Sequence, residues 1–478
     1  MIPPLADLEA HAAERPNDIA LASPVRQYAY SELLLAVDAA AIRLREQGVM
    51  PRNLVALDLP GALEWILDLA LMRLAARSVS IRGVHNAGPL MPDVVIAGVG
   101  YTATPAPVTL AVDDLWIAGA LSRASGAPPA VEYPRSDSIF RLMLTSGTTG
   151  LPRAAAYSIG ALKVRVDGLH RYWTDDRSEL NFMGLSTTGG FHSAVAALRH
   201  GGTFRAVDQI DVEALRFAAS ERVQVLCGSP VQIATALEVM RVNNITLPQL
   251  EEVRMAGAAP SVRLMRLIAD RLGVAVRGVY GSTEGGGVTA RTLRPDDDLA
   301  DVGLALPGLE LQVVDDSGKP LSSGAEGKVR YRGPGMVSGY LEGSVVTPFA
   351  QGWFEPGDVG MLAANGSLVL SGRATEVLNI AGMKVNPTIV DDLAAEFPGV
   401  IDAAAFGLER ETGIAELGLA VVAEPDCDLR ALDQDLRRRL RIGFPTTFWP
   451  VAEIPRNRMG KVERVLLEQA FERRRVGP

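Results

Sequence analysis

The sequence predicts an α/β fold, with helix-covered parallel sheets and a small β-barrel-like subdomain in the larger N-terminal part, then a small α+β part at the C-terminus. Three changes of texture carry that expectation. Short apolar runs alternate with helical periodicity up to about Ala300; apolar and polar residues then alternate singly; and from about Arg373 strands mix with short helices. A chain of 478 residues has room for roughly three units, or two unequal ones.

Taken in order, the N-terminal MIPPLADLEAHAAERPNDIA has no basic start followed by an apolar run, so no signal peptide is expected. The stretch from Gly61 to Ala76 is apolar but carries Glu64, Asp68 and Arg73, and falls short of the roughly 20 apolar residues a membrane span needs. Val223 to Pro230 (VQVLCGSP) reads as a strand and turn leading into a helix whose Ile233, Leu237 and Met240 share one face. The unit repeats as Val253 to Met255, a Ser261-capped helix bearing Leu264, Leu267, Ile268 and Leu272, and a strand from Val274 to Val279. Such β-α alternation implies parallel sheets covered by helices. LELQVVDDSGKPL and GKVRYRGPGM, with a turn at Asp-Ser-Gly, suggest antiparallel hairpins of the small barrel or sheet. Ala403 to Gly407 and Leu417 to Val422 read as strands of the last part.

Hydrophobic residues make up 48% and charged residues 22%, which excludes collagen-like, disordered and disulfide-scaffold chains. Forty-seven basic against 56 acidic residues leave a net charge of −9, which argues against broad nucleic-acid binding. Cys227 and Cys427 lie 200 residues apart without metal-ligand spacing, so both are expected to be reduced packing residues of a cytoplasmic protein.

The strongest local signal is LTSGTTGLPR, Leu144 to Arg153, directly after the apolar run Ile139 to Leu144. Small residues let backbone N–H groups converge on phosphate oxygens, hydroxyls add donors and a cation neutralises charge. The Gly-Lys-[Ser/Thr] ending of a Walker loop is absent, and a polar turn is the bland alternative. Further on come YGSTEGGG (280–287), GWFEPGDVG (352–360), SGRATEVLNIAGMKVNP (371–387) and PRNRMGKVER (455–464). In this order and spacing the five motifs resemble the acyl-adenylate-forming, AMP-binding superfamily of acyl-CoA synthetases, peptide-synthetase adenylation domains and luciferases.

The resemblance implies an acid–thiol ligase of the acyl-CoA synthetase type, with an N-terminal AMP- and acyl-binding domain over residues 1–372 and a mobile catalytic C-terminal domain over 373–478. It implies that Thr145, Ser146, Gly147, Thr148, Thr149 and Gly150, with Arg153, hold the β- and γ-phosphates of ATP. Tyr280 and Gly281 would form one wall of the adenine slot, and Gly257, Ala258 and Ala259 the other. Thr283 would contact phosphate and Glu284 would hold Mg²⁺, a hard cation suited to one carboxylate plus phosphate oxygens. Asp358 would accept from both ribose hydroxyls with Arg373 nearby, and Lys461 would be the mobile catalytic lysine. The hinge would fall at Arg373 to Glu376, including Thr375, and Gly382 would line the thiol tunnel where a thin pantetheine chain tolerates little side chain.

The sequence departs from the family pattern at several places. Arg153 stands where Lys is usual after the Pro of the phosphate loop, Thr375 replaces the hinge Asp or Lys, Asn379 replaces a lysine, and Pro356 replaces the Thr before Gly-Asp. Asn181 to Val207 holds no acidic residue, whereas amino-acid-activating relatives place an Asp there; that position aligns with Thr188, and a preceding His with Thr187. The expected substrate is therefore a hydrophobic, uncharged fatty or aryl carboxylic acid, with Gly189, Gly190 and Gly285 to Gly287 either vacating space for its tail or serving backbone turns. His192 is more readily a packed or exposed side chain than a base, because carboxylic acids are already ionised near neutrality.

Residues 429–478 hold 12 basic and 6 acidic residues, so Arg437 to Arg439, Arg441 and Arg473 to Arg475 either meet the phosphates of CoA or an acidic carrier protein, or form a solvated helix face. The acceptor is CoA or the phosphopantetheine of a carrier protein; a nucleotide-binding non-enzyme is the remaining alternative. No nucleic-acid partner and no membrane span are expected, and the chain is expected to be a monomer or homodimer.

Overall fold

The computed structural model describes residues 3–81, 90–98, 106–123, 135–145, 153–165, 167, 177–342, 345–347, 349–374, 378–380, 383–409, 415–440, 446–456 and 462–475. Ser146, Gly147, Thr148, Thr149, Gly150, Thr375, Gly382, Arg441 and Lys461 lie outside them.

Two large sheets organise the N-terminal part. The first has eight strands, in the order Val345–Thr347, Tyr340–Glu342, Arg153–Ser158, Ile139–Thr145, Arg77–Ser80, Leu54–Asp58, Val94–Ala97 and Val108–Ala111. The last five of these run parallel, and the first three pair antiparallel. The second sheet runs Gly286–Leu293, Ala275–Ser282, Glu252–Ala256, Val225–Gly228 and Glu179–Asn181, parallel except for its first strand. The repeating strand-turn-helix texture thus folds as its period requires. Ser229 caps helix Pro230–Asn243, exchanging hydrogen bonds with Gln232, and Ser261 caps helix Val262–Arg271. Leu264 and Ile268 of the latter face the core with Ile233, Leu237 and Met240 of the former.

The apolar segment at Gly61 forms helix Gly61–Arg73, buried among helices Pro3–Glu14 and Tyr30–Glu46. Its charged residues are buried and paired: Asp68 lies 2.5 Å from Arg141, and Arg73 lies 2.8 Å from Asp38 and also pairs with Glu9. They explain why a nearly all-apolar helix belongs to a protein core. Among the described residues no helix is long and apolar enough to cross a membrane.

After Ala300 the expected antiparallel texture gives a five-stranded sheet: Asp301–Gly303, Leu368–Arg373, Asp358–Leu362, Gly327–Arg332 and Glu310–Val314. Beyond it, Val400–Glu409 and Ala415–Ala423 pair antiparallel, and Thr446–Pro450 joins them parallel. Helices Pro387–Ala395, Leu429–Leu440 and Arg464–Arg475 accompany this sheet. Its two hydrophobic clusters draw only on residues from Leu378 onward, and the three clusters of the N-terminal part reach no further than Leu370. Cys227 and Cys427 are both free, and burial pushes the Cys227 thiol well above its ordinary range.

Candidate active site

Parallel strands present their carboxyl ends on one side of a sheet, where ligands of open α/β sheets are held. Strand Glu252–Ala256 ends in Gly257, Ala258 and Ala259, all exposed, and Gly257 turns the chain with φ +90°. Its parallel neighbour Ala275–Ser282 ends at Tyr280, Gly281 and Ser282, with Ala256 registered against Val279. The two walls expected of an adenine slot are therefore adjacent in space.

The second wall is a tight hairpin. The ladder between Ala275–Ser282 and Gly286–Leu293 shifts register at Tyr280 and Gly281, a bulge that re-aims the side chains beside it. A side chain at Gly281 would collide with the carbonyl of Gly286, and one at Gly285 with the ring of Tyr331. Gly286 adopts φ +71° against the guanidinium of Arg165. These glycines serve backbone approach, as does Gly190, whose side chain would run into Gly184. Gly287, by contrast, has ordinary contact distances for an added methyl, of 3.4 and 3.5 Å. Of the two readings of these glycines, the backbone one holds at Gly190, Gly285 and Gly286.

Three phenols fix the polar groups around this hairpin. Tyr280 donates to Asp358 Oδ2 at 2.6 Å, Tyr331 to Ser282 Oγ at 2.8 Å, and Tyr340 to Glu284 Oε1 at 2.5 Å. Ser282 Oγ in turn accepts from the backbone N–H groups of Glu284 and Gly285, both at 3.0 Å. Burial, and then the neighbouring carboxylates, raise the Tyr280 and Tyr340 pKa values, so both remain protonated donors at neutral pH.

Asp358 opens its strand directly opposite Arg373, and Arg373 Nε lies 3.2 Å from Asp358 Oδ1, a cross-strand ion pair. Pro356 precedes Gly357, which takes φ +81°, the arrangement of a turn that delivers Asp358 to its ladder. The Pro356 departure is thereby accommodated. Thr283 sits half-buried in the hairpin turn, and Thr145 ends its strand with its hydroxyl 3.4 Å from the Arg153 carbonyl.

Glu284 is buried, with its backbone carbonyl accepting from Val337 N–H at 2.9 Å and Arg165 Nη2 at 3.0 Å. Tyr340 engages one carboxylate oxygen, which leaves the other as a ligand position. Among the described residues no three His, Cys, Asp or Glu side chains assemble as a metal cage. A single buried carboxylate is the kind of donor that suits a Mg²⁺ bringing phosphate and water ligands with it.

At the other end, helix Thr188–His200 starts at Thr187, whose hydroxyl accepts from Gly190 N–H at 3.1 Å. His192, on the same helix, is packed: its Nε2 lies 2.5 Å from Tyr157 Oη and 3.4 Å from Arg165 Nη1. With Nε2 unprotonated it accepts from both. Tyr340, Tyr331, Tyr157 and Arg165 escaped sequence reasoning. The two tyrosines near the hairpin lie in alternating strands of the antiparallel texture, a weak signal for inward-facing residues, and nothing in the sequence marks Arg165 or Tyr157.

The matching family model is that of the AMP-binding enzyme, over residues 96–341, just over half of the chain. This chain belongs to the AMP-binding enzyme family. The acyl-adenylate-forming resemblance of the five motifs is borne out, and with it the enzyme class, an acid–thiol ligase. Among curated relatives, the indoleacetate–CoA ligase of Aromatoleum aromaticum is 28% identical over 507 residues, covering 98% of each chain. A 4-chlorobenzoate–CoA ligase of Arthrobacter is 29% identical over 503 residues, covering 97% of this chain and 94% of that one. The ATP-bound crystal structure of MatB from Rhodopseudomonas palustris superposes with a TM-score of 0.83 at 23% identity, covering 98% of this chain and 99% of that one. That likeness bears on the fold, which is the expected α/β architecture.

The basic C-terminal residues are engaged with acidic neighbours. Arg437 pairs with Asp433, Arg438 with Asp435, and Arg439 with Glu396 and Asp435. The solvated-face reading suits these three arginines better than a phosphate-binding one.

Proposed function

We propose that this AMP-binding enzyme activates a hydrophobic fatty or aryl carboxylic acid with ATP and transfers the acyl group to CoA. A carboxylate oxygen attacks the α-phosphorus, the bond to the bridging oxygen of the β-phosphate breaks, and pyrophosphate leaves. The thiol sulfur then attacks the acyl carbon of the mixed anhydride, and AMP departs with the electron pair of the broken C–O bond. The observation that carries this reading is the hairpin that sets the Tyr340-held Glu284 carboxylate and the Asp358–Arg373 pair beside the exposed Gly257 to Ala259 turn.

In this proposal Asp358 orients the ribose, Tyr280 and Gly257 to Ala259 flank adenine, and Thr145 to Gly150 with Thr283 cradle phosphate. Glu284 holds Mg²⁺, which when bound would stabilise the negative charge that grows on pyrophosphate. Lys461, carried by the segment 373–478, adds a second cation at the same step. That segment would swing about Arg373 to Glu376 to admit the thiol past Gly382, a division supported by hydrophobic clusters that do not bridge Leu370 and Leu378.

The hydrophobic acid rests on the two relatives named for indoleacetate and 4-chlorobenzoate, and on the absence of any acidic residue between Asn181 and Val207 that could greet an ammonium group. The same relatives favour CoA as acceptor. The test is carboxylate-dependent pyrophosphate release from Mg-ATP with fatty, aryl and amino acids, each with and without CoA. Release with an aryl or fatty acid together with a CoA thioester is the expected result. Release without any CoA product would move the acceptor to a carrier protein, and silence across the panel with ATP bound would return the non-enzyme alternative.

A further inference from the structure

Arg153 stands where the phosphate loop of this family usually carries lysine, and the structure gives it a contact that a lysine makes poorly. Strands Arg153–Ser158 and Tyr340–Glu342 pair antiparallel with Tyr340 opposite Ala155. Arg153, two residues before Ala155, shares its face and reaches Tyr340 diagonally. The guanidinium carbon lies 3.4 Å from the centroid of the Tyr340 ring, while Phe349 meets the same ring edge-on at 5.6 Å between centroids. Tyr340 is 7% exposed, and its hydroxyl is the donor to Glu284 Oε1.

We propose that Arg153 is a positioning residue for Glu284, acting through the stacked ring of Tyr340. Ring and hydroxyl form one rigid plane, so a planar cation lying on the face and a phenyl edge against it fix the direction in which the hydroxyl points. That hydroxyl occupies Oε1 and reserves Oε2 for a ligand. A lysine ammonium would keep the charge but not the flat stack. The arginine is thereby joined to the carboxylate at the far end of the site without touching it.

The inference rests on the proposed metal role of Glu284, and the experiment separates the two. Mn²⁺ serves as the probe, its binding followed by electron paramagnetic resonance on the full chain with a non-hydrolysable ATP analogue. Analogue affinity is measured separately without metal. Arg153→Lys should weaken Mn²⁺ binding about two- to fivefold, the worth of an exposed cation–π contact. Tyr340→Phe should weaken it about tenfold, as expected for one hydrogen bond to a charged group. The double variant should be no weaker than Tyr340→Phe alone, because the arginine acts only through the hydroxyl. Metal-free analogue affinity should stay within about twofold in Tyr340→Phe.

Independent, additive losses would overturn the proposal while leaving Glu284 as the metal residue. A wild-type protein that binds the analogue but no Mn²⁺ would overturn the metal role and the inference together. If Tyr340→Phe does not fold, Arg153→Lys alone decides, since Mn²⁺ affinity equal to wild type refutes the coupling.

Discussion

The two ends of the site are built by opposite means. Around the hairpin at Tyr280 to Gly287, two carboxylates are each held by a neutral phenol: Asp358 by Tyr280 and Glu284 by Tyr340. Around helix Thr188–His200 the helix offers no carboxylate; the His192 imidazole there lies within hydrogen-bond reach of Tyr157 and of the buried guanidinium of Arg165. On the proposed reading, the first end would take cations and sugar hydroxyls, and the second a group that brings its own negative charge. An acid that carries an ammonium beside its carboxylate finds no counter-charge on this helix, which is the physical reason to expect a plain carboxylic acid.

The largest effect is expected where the carboxylate is lost. Glu284→Gln keeps the acceptor for Tyr340 but removes the charge, and should lower the rate of pyrophosphate release by about 10²- to 10³-fold. The KM for the acid should change little. A matching rise in that KM would erase the separation between the two ends.

His192→Leu tests the second end. It strips the acceptor from two buried donors, Tyr157 Oη and Arg165 Nη1, and should cost about 2 kcal/mol of stability in urea denaturation. The turnover of folded enzyme should fall less than about threefold if the histidine is packing rather than a base. A hundredfold loss of turnover at unchanged stability would make it a base and reverse that assignment.

A smaller change is expected for Asp358→Asn. The amide still accepts from Tyr280 but no longer pairs with Arg373, and the KM for ATP should rise about tenfold with the KM for the acid unchanged.

How much of this was legible in the sequence depends on whether a residue's role is local. The strand-turn-helix units with Ser229 and Ser261 caps were readable because periodicity and capping are set within a few residues. The strand expected at Val274 to Val279 appears as Ala275–Ser282, and the strands expected at Ala403 and Leu417 appear as Val400–Glu409 and Ala415–Ala423. The turns that carry Glu284 and Asp358 were legible because they lie within the motifs themselves. Tyr340 and Arg165 were not, since their significance comes from partners 56 and 119 residues away in sequence, Glu284 Oε1 and the Glu284 carbonyl. Which of the two readings of the glycines holds was illegible for the same reason: what forbids a side chain at Gly190 is Gly184, and at Gly285 the ring of Tyr331.

The smallest expected effect is a pH dependence at the second end. Burial raises the Tyr157 phenol from its ordinary value of 10.0 to about 12, against the opposing influence of Arg165. The folded state therefore keeps a proton that the unfolded chain gives up near pH 10. Its contribution to stability is intact below that point and declines as pH rises toward 12. At pH 10.5 the loss attributable to this one group is under about 1 kcal/mol. Tyr157→Phe should remove that share of the alkaline slope, measured by urea denaturation at pH 8 and pH 10.5, while being less stable at pH 8 because Arg165 is then the remaining described donor to His192 Nε2. An unaltered slope would mean that the hydroxyl is not held in the dry pocket beside His192, and the second end would then be wetter than the first.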